Sequence, residues 1–280
     1  MPDRYAVIGH PIAHSKSPQI HTWFAQATGQ DMVYEAIDGG AEPGGFEQAL
    51  HAFARHGGRG MNVTLPFKLQ ALTAADVASA DARAAGAANA LRWHEGRLEA
   101  QNFDGVGLVR DIEVNLGQPL RGKAVLVLGA GGATRGALLP LARAGVARLA
   151  VLNRTASKAV ALLDELAAHL PPALALHSGG TDLMPGLPAF DVVINATSAS
   201  LSADAPAVPP QAFAPGGLAY DMVYGKGLTP FLRLAQSAPN VRVADGVGML
   251  VEQAAEAFAW WRGVRPQTEG VLKRLTVPLV

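Results

Sequence analysis

A two-domain α/β fold is predicted by three features of the sequence. Short apolar runs that read as strands alternate with helical stretches, the pattern of parallel βαβ packing. One of those runs, Ala124 to Leu128, breaks into the turn Gly129, Ala130, Gly131, Gly132, Ala133 before a helical pattern resumes. That is the strand, tight turn and helix order of a phosphate-binding unit. The length, 280 residues of which 49% are hydrophobic, suits one large or two medium domains with substantial cores.

Composition narrows the classes of function. Lys+Arg and Asp+Glu number 23 each, so no charge excess points to nucleic acid or an anionic membrane surface. Small neutral or singly charged ligands fit better. The absence of cysteine excludes a disulfide framework, a thiolate metal site and a thiol nucleophile. No metal-ligand spacing such as H-x-x-x-H occurs. The start of the chain lacks the features of a signal peptide and no apolar run approaches bilayer-spanning length, so a cytoplasmic location is expected. The oligomeric state is left open, with a homodimer among the options.

Arg4 to Ile8 reads as a buried strand whose loop leads into a helix with Pro18 in its first turn. Ile20, Trp23, Phe24 and Ala27 form its apolar face and Gly29 its stop. Ser17 is either the N-cap of that helix or, with Ser15 and the free N–H groups of the helix start, part of a cradle for a carboxylate. Strands are expected at 32–37 and 60–66, with a helix at 46–56 between them. Asn62 and Thr64, two residues apart, face one side of their strand, and Lys68 follows just beyond its end. Ligands in open α/β sheets collect past the carboxyl ends of strands. Lys68 is therefore either a ligand-facing cation or a solvated surface residue. A helix over 73–85 and a hairpin pairing 88–93 with 97–102 come next, followed by Asp104, a candidate N-cap for the helix through Ile112.

In the second half, Gly129, Gly131 and Gly132 clear side chains from a helix N-terminus, although Thr134 stands where the dinucleotide fingerprint wants a small residue. The next strand ends in Asn153, Arg154 and Thr155, with Lys158 one turn later. An acidic residue there would suit a free ribose 2′-hydroxyl; two cations and two hydrogen-bonding side chains suit a 2′-phosphate, so the cofactor is read as NADP(H). A strand at 190–196 ends in Thr197 and Ser198, small polar residues suited to the far half of a dinucleotide. A Pro-rich loop spans 203–215. Strands at 218–222 and 241–244 frame a helix capped by Thr229 and Pro230, and an apolar helix over 249–262 carries Gln253 and Glu256 as its conspicuous polar residues. One more helix is expected from Gln267.

Seven ordered blocks carry a family resemblance over nearly the whole chain. They are Tyr5 to Pro18, Gly60 to Lys68, the Gly129 turn with Asn153 to Thr155, Ile194 to Ser198, Tyr220 to Tyr224, and Asp245 to Gln253. The sequence resembles the shikimate dehydrogenase family. The resemblance implies a substrate domain over 1–105 and 246–280 and a Rossmann-like NADP-binding domain over 106–245. It implies NADP-dependent interconversion of shikimate and 3-dehydroshikimate in the chorismate pathway of aromatic amino acid biosynthesis. A paralogue acting on quinate, aminoshikimate or another cyclic polyol acid is the alternative, and a non-catalytic NADP-binding module a further one. By the same resemblance Ser15, Ser17 and Tyr224 bind the substrate carboxylate, and Asn62, Thr64, Asn89, Asp104 and Gln253 surround the ring hydroxyls. Lys68 and Asp104 form the catalytic pair, and the nicotinamide lies near Met222, Gly246 and the Thr197–Ser198 loop. Three positions depart from the family pattern: Phe103 and Ala90, where threonine is usual, and Ser200, where glycine is common. Phe103, beside Asp104, is expected either to turn into the core or to narrow the substrate pocket.

Overall fold

The computed structural model describes residues 1–197, 206 and 208–279. The chain divides into two compact units, residues 1–107 with 251–273, and residues 108–250 with 274–280.

In the first unit the order is β1 (Asp3–Gly9), α1 (Ser17–Thr28), β2 (Met32–Asp38), α2 (Gly45–Arg55), β3 (Gly58–Val63), α3 (Lys68–Ala74), β4 (Val77–Ala78), α4 (Ala80–Ala85), β5 (Ala90–His94), β6 (Arg97–Gln101) and α5 (Asp104–Arg110). The sheet order is β2-β1-β3-β5-β6-β4. β1 runs parallel to β2 and β3, whereas β3 pairs antiparallel with β5. Side-chain alternation gives β3 two different faces. Met61 and Val63 enter a hydrophobic core with Phe46, Leu50 and Phe53 of α2. Gly60 and Asn62 face the opposite side, where a Cβ on Gly60 would lie 2.6 Å from Trp261 Nε1. Only glycine lets the indole ring approach the strand so closely.

Two expectations for this unit are corrected. The helix predicted over 73–85 is two helices, α3 and α4, separated by β4. The Asp76 carboxylate accepts the Leu98 N–H at 2.7 Å, and the Ser79 hydroxyl accepts the Ala82 N–H at 3.0 Å as the true N-cap of α4. Ser17 is not an N-cap: α1 begins at Ser17, with Lys16 at the cap position and no side-chain cap bond.

The second unit continues with β7 (Ala124–Leu128), α6 (Gly132–Arg143), β8 (Arg148–Asn153), α7 (Ala156–Leu166), β9 (Ala175–Gly180), β10 (Phe190–Asn195), β11 (Phe213–Asp221), α8 (Pro230–Ala235) and β12 (Arg242–Asp245); α9 (Val247–Arg262) and α10 (Glu269–Leu275) follow. The sheet order β12-β11-β10-β7-β8-β9 is wholly parallel. It is the doubly wound order of a Rossmann-like fold, with the reversal beside β7. Its core packs Leu126, Leu128, Ala150 and Val193 against Phe190, Phe213 and Phe231. β11 starts at Phe213, inside the stretch predicted as loop, and its register with β10 shifts between Phe190 and Val192. Of the rest of that Pro-rich stretch, Pro210–Ala212 form a 3-10 turn, and residues 203–205 and 207 lie outside the described residues. Past α5 the chain widens into one π-helical turn, Asp111–Asn115, for which nothing local in the sequence gives a signal.

Candidate active site

In the first unit the structure brings five of the predicted residues into one hydrogen-bonded cluster. Lys68 opens α3 and Asp104 opens α5, and Lys68 Nζ donates to Asp104 Oδ2 at 2.6 Å. Asn89 Nδ2 donates to Asp104 Oδ1 at 2.8 Å and to Gln253 Oε1 at 3.2 Å. Asn89 Oδ1 accepts the Phe103 N–H at 2.9 Å, which fixes the orientation of the amide. Asn62 Nδ2 reaches the Asn89 carbonyl at 3.4 Å. Both carboxylate oxygens of Asp104 are therefore held, and its charge is directed at the lysine rather than at a helix end. The Lys68 and Asp104 side chains keep 27% and 17% of their surface exposed, so the pair is open to a ligand.

Thr64 lies one residue past β3, with its N–H on the Ile8 carbonyl at 2.9 Å. Ser15 Oγ accepts the Ser17 N–H at 3.3 Å, and Ser17 is buried at the first turn of α1. Released from capping, the two hydroxyls and the helix start have the composition of an anion cradle. Two departures from the family pattern acquire a structural account. Phe103 is half-buried and packs edge-on against Trp260 at 5.8 Å, and Ala90 is fully buried on β5 opposite Asn62. Ser198 and Ser200 lie outside the described residues.

In the second unit the parallel register puts the carboxyl ends of all six strands on one edge. Gly129 follows β7 with φ of 102°, a conformation costly for any residue with a Cβ. Gly131 and Gly132 open α6, where no side chain caps the N–H groups and an added Cβ would meet nothing within 4 Å. Ala130 and Ala133 complete the turn. Thr134 serves the place of a small residue by turning inward: it is fully buried and its hydroxyl donates to the Gly129 carbonyl at 2.9 Å, closing the turn. Past β8, Asn153 Nδ2 donates to the Thr155 carbonyl at 2.9 Å, while Arg154, Thr155 and Lys158 are exposed. Arg154 and Lys158 have no ion pair among the described residues. Open amides at a helix start plus two unengaged cations fit the diphosphate and 2′-phosphate of NADP.

Met222 follows β11 with its N–H on the Asn195 carbonyl at 3.0 Å, and a Cβ on Gly246 would lie 2.3 Å from the Met222 carbonyl oxygen. Tyr224, in the same loop, is 40% exposed. Sequence reasoning missed the buried supports of these loops. Asn195 Oδ1 accepts both the N–H and the hydroxyl of Thr197, at 3.1 and 2.7 Å. Asp221 accepts the Thr229 hydroxyl at 2.6 Å and the Val223 N–H at 3.1 Å. Burial pushes the Asp245 carboxyl above its ordinary range, hydrogen bonds from the Gly225 and Val247 N–H groups oppose this, and the Asp221 charge adds to it. All three polar side chains end strands, a position that could have marked them. Among the described residues no three metal-ligating side chains converge and no helix is long and apolar enough to cross a membrane.

Known proteins resemble this chain throughout its length. Residues 7–91 match the model of the shikimate dehydrogenase substrate binding domain, 112–204 that of shikimate/quinate 5-dehydrogenase, and 246–276 that of the shikimate 5′-dehydrogenase C-terminal domain. The shikimate dehydrogenase (NADP(+)) of Aromatoleum aromaticum is 52% identical over 98% of this chain and 96% of its own. That of Dechloromonas aromatica is 51% identical over the full length of both. Among solved structures, an Ael1 enzyme from Pseudomonas putida superposes with a TM-score of 0.92 at 55% identity, covering 99% of this chain and 100% of its own. The Thermus thermophilus shikimate 5-dehydrogenase, solved with NADP(H) and shikimate, gives 0.82 at 35% identity over 97% of each chain. Matched along its whole length and through both of its units, the chain belongs to the shikimate dehydrogenase family.

Proposed function

We propose that this chain is an NADP-dependent shikimate dehydrogenase, interconverting shikimate and 3-dehydroshikimate in the biosynthesis of aromatic amino acids. The observation that carries the reading is the Lys68–Asp104 pair at 2.6 Å, braced by Asn89. Bound NADP supplies the hydride acceptor for alcohol oxidation and the donor for the reverse. Removing a hydride from a carbinol requires the hydroxyl proton to leave in step, and Lys68 Nζ takes that proton or stabilises the alkoxide charge as it develops. Asp104 holds the ammonium in place and accepts from the substrate hydroxyl. Ser15 and Ser17 hold the substrate carboxylate, and Tyr224 is a further substrate-binding residue; Asn62, Thr64, Asn89 and Gln253 contact the ring hydroxyls. The Gly129–Ala133 turn binds the diphosphate, and Asn153, Arg154, Thr155 and Lys158 the 2′-phosphate. Thr197, Ser198, Met222 and Gly246 line the nicotinamide end. The same reading places the enzyme in the cytoplasm and makes a homodimer the assembly to test by light scattering.

Formation of NADPH with shikimate, repeated with quinate and with NAD, is the decisive assay. Turnover confined to shikimate and NADP is the expected result. A second reading, a reductase for another cyclic polyol acid, is favoured by Phe103 beside Asp104. It would be established by NADP binding with slow shikimate turnover and faster turnover of quinate or a related acid.

A further inference from the structure

Behind the proposed substrate residues lies a half-buried relay for which the chemistry above has no use. Tyr34, on β2, donates its hydroxyl to Asn62 Oδ1 on β3 at 2.7 Å. The two strands are not neighbours, because β1 lies between them. Two strand spacings amount to about 10 Å, a gap that a phenol can bridge across the sheet face and a short side chain cannot. The Tyr34 ring lies flat on the His21 ring, 4.2 Å between centroids and 3° between planes. His21, fully buried, is enclosed in turn by Phe24, Phe258 and Trp261. The phenol therefore has little freedom to leave Asn62.

Amide chemistry turns this contact into a specification. Burial raises the Tyr34 phenol well above its ordinary value, outweighing the lowering by hydrogen bonds with Asn62 and Ser17, so the group stays a donor. Its partner atom on Asn62 must then be the carbonyl oxygen, and the amide nitrogen must point the other way. That nitrogen carries two N–H donors, of which one reaches the Asn89 carbonyl. We propose that Tyr34 is a positioning residue that sets substrate selectivity: held flat on His21, it fixes the Asn62 amide as a hydrogen-bond donor towards a ring oxygen. The inference rests on the proposed function, which places Asn62 at the substrate. It selects cyclic acids that present a hydroxyl or carbonyl oxygen to Asn62 and disfavours those presenting an ammonium there, because a donor would then face a donor.

Steady-state kinetics of Tyr34→Phe and of Asn62→Asp test it. Phenylalanine keeps the ring on His21 and removes only the hydroxyl; aspartate keeps an acceptor for Tyr34 but puts a carboxyl oxygen, with its charge, in place of the amide donor that faces the Asn89 carbonyl. Each variant should raise the KM for shikimate about tenfold, leave kcat within about twofold, and leave the KM for NADP unchanged. A general loosening of the unit would instead lower kcat, because Lys68 and Asp104 belong to it. Unchanged KM for shikimate in either variant, or a fall in kcat matching the loss in kcat/KM, overturns the inference while the function stands. A wild-type enzyme that fails to turn over shikimate overturns both.

Discussion

Lys68 owes its proposed role to what holds its partner. With Asp104 Oδ1 engaged by Asn89 and Oδ2 by Lys68, the carboxylate cannot rotate away, and the ammonium stays where a substrate hydroxyl can reach it. Lys68→Ala should lower kcat by about 10²- to 10⁴-fold, the usual contribution of a positioned acid–base group, while NADP affinity by fluorescence titration stays at the wild-type value. Loss of NADP binding would make Lys68 a structural residue. His21 supports a prediction of another kind. Burial lowers its pKa from 6.5 to about 3, so the folded chain keeps the ring neutral where the unfolded chain protonates it. Its contribution to stability is therefore complete above pH 6.5 and is lost as the pH falls towards about 3. The limiting slope for one proton is about 1.4 kcal/mol per pH unit. Denaturant unfolding of His21→Phe across that window should show a shallower loss of stability than wild type; identical slopes would mean that His21 is not the titrating group.

Among the elements, α6 separates what the fold needs from what a ligand needs. Gly131 and Gly132 have open space where a Cβ would stand, and Gly131 has an extended backbone at the helix cap, so the protein itself does not require glycine there. Gly131→Ala should leave the thermal midpoint within about 2 °C of wild type yet raise the KM for NADP about tenfold by blocking approach to the α6 amides. A variant that binds NADP normally would place the diphosphate elsewhere. Elements with local signals were legible in the sequence: Pro18 and Gly29 bounding α1, Thr229 and Pro230 opening α8, the glycine turn before α6. Elements set by distant partners were not. β4 interrupts a helical pattern because Asp76 binds Leu98 in β6. The π-helical turn accompanies a buried Asp111 that accepts the Tyr220 hydroxyl at 2.7 Å, against Gly248, where an added Cβ would lie 1.9 Å from the carboxylate.

Across the whole molecule, alternating strands and helices made the α/β class legible, and in the dinucleotide half the glycine turn after β7 and the polar end of β8 at Asn153 marked two strand ends. Its position past a strand end made Lys68 a candidate ligand-facing cation, but its pairing with Asp104 and the role of Asn89 were legible only through the family resemblance. Nothing in their spacing says that α3, β5 and α5 start near one another. Tyr34 was illegible because the order β2-β1-β3, which aims it at Asn62, is a property of the sheet and not of any segment. Each compact unit has its own core and its own share of the proposed ligand contacts, and hydrogen exchange can examine them one at a time. A ligand at 100 times its Kd stabilises the state that binds it by about 2.7 kcal/mol, enough to slow exchange about a hundredfold wherever opening destroys its site. NADP alone should slow the amides of 129–137 and 153–158, and shikimate alone those of 15–20, 62–68 and 89–91. The opposite pattern, with NADP protecting 62–68 and leaving 129–137 unaffected, would reverse the assignment of cofactor and substrate to the two units.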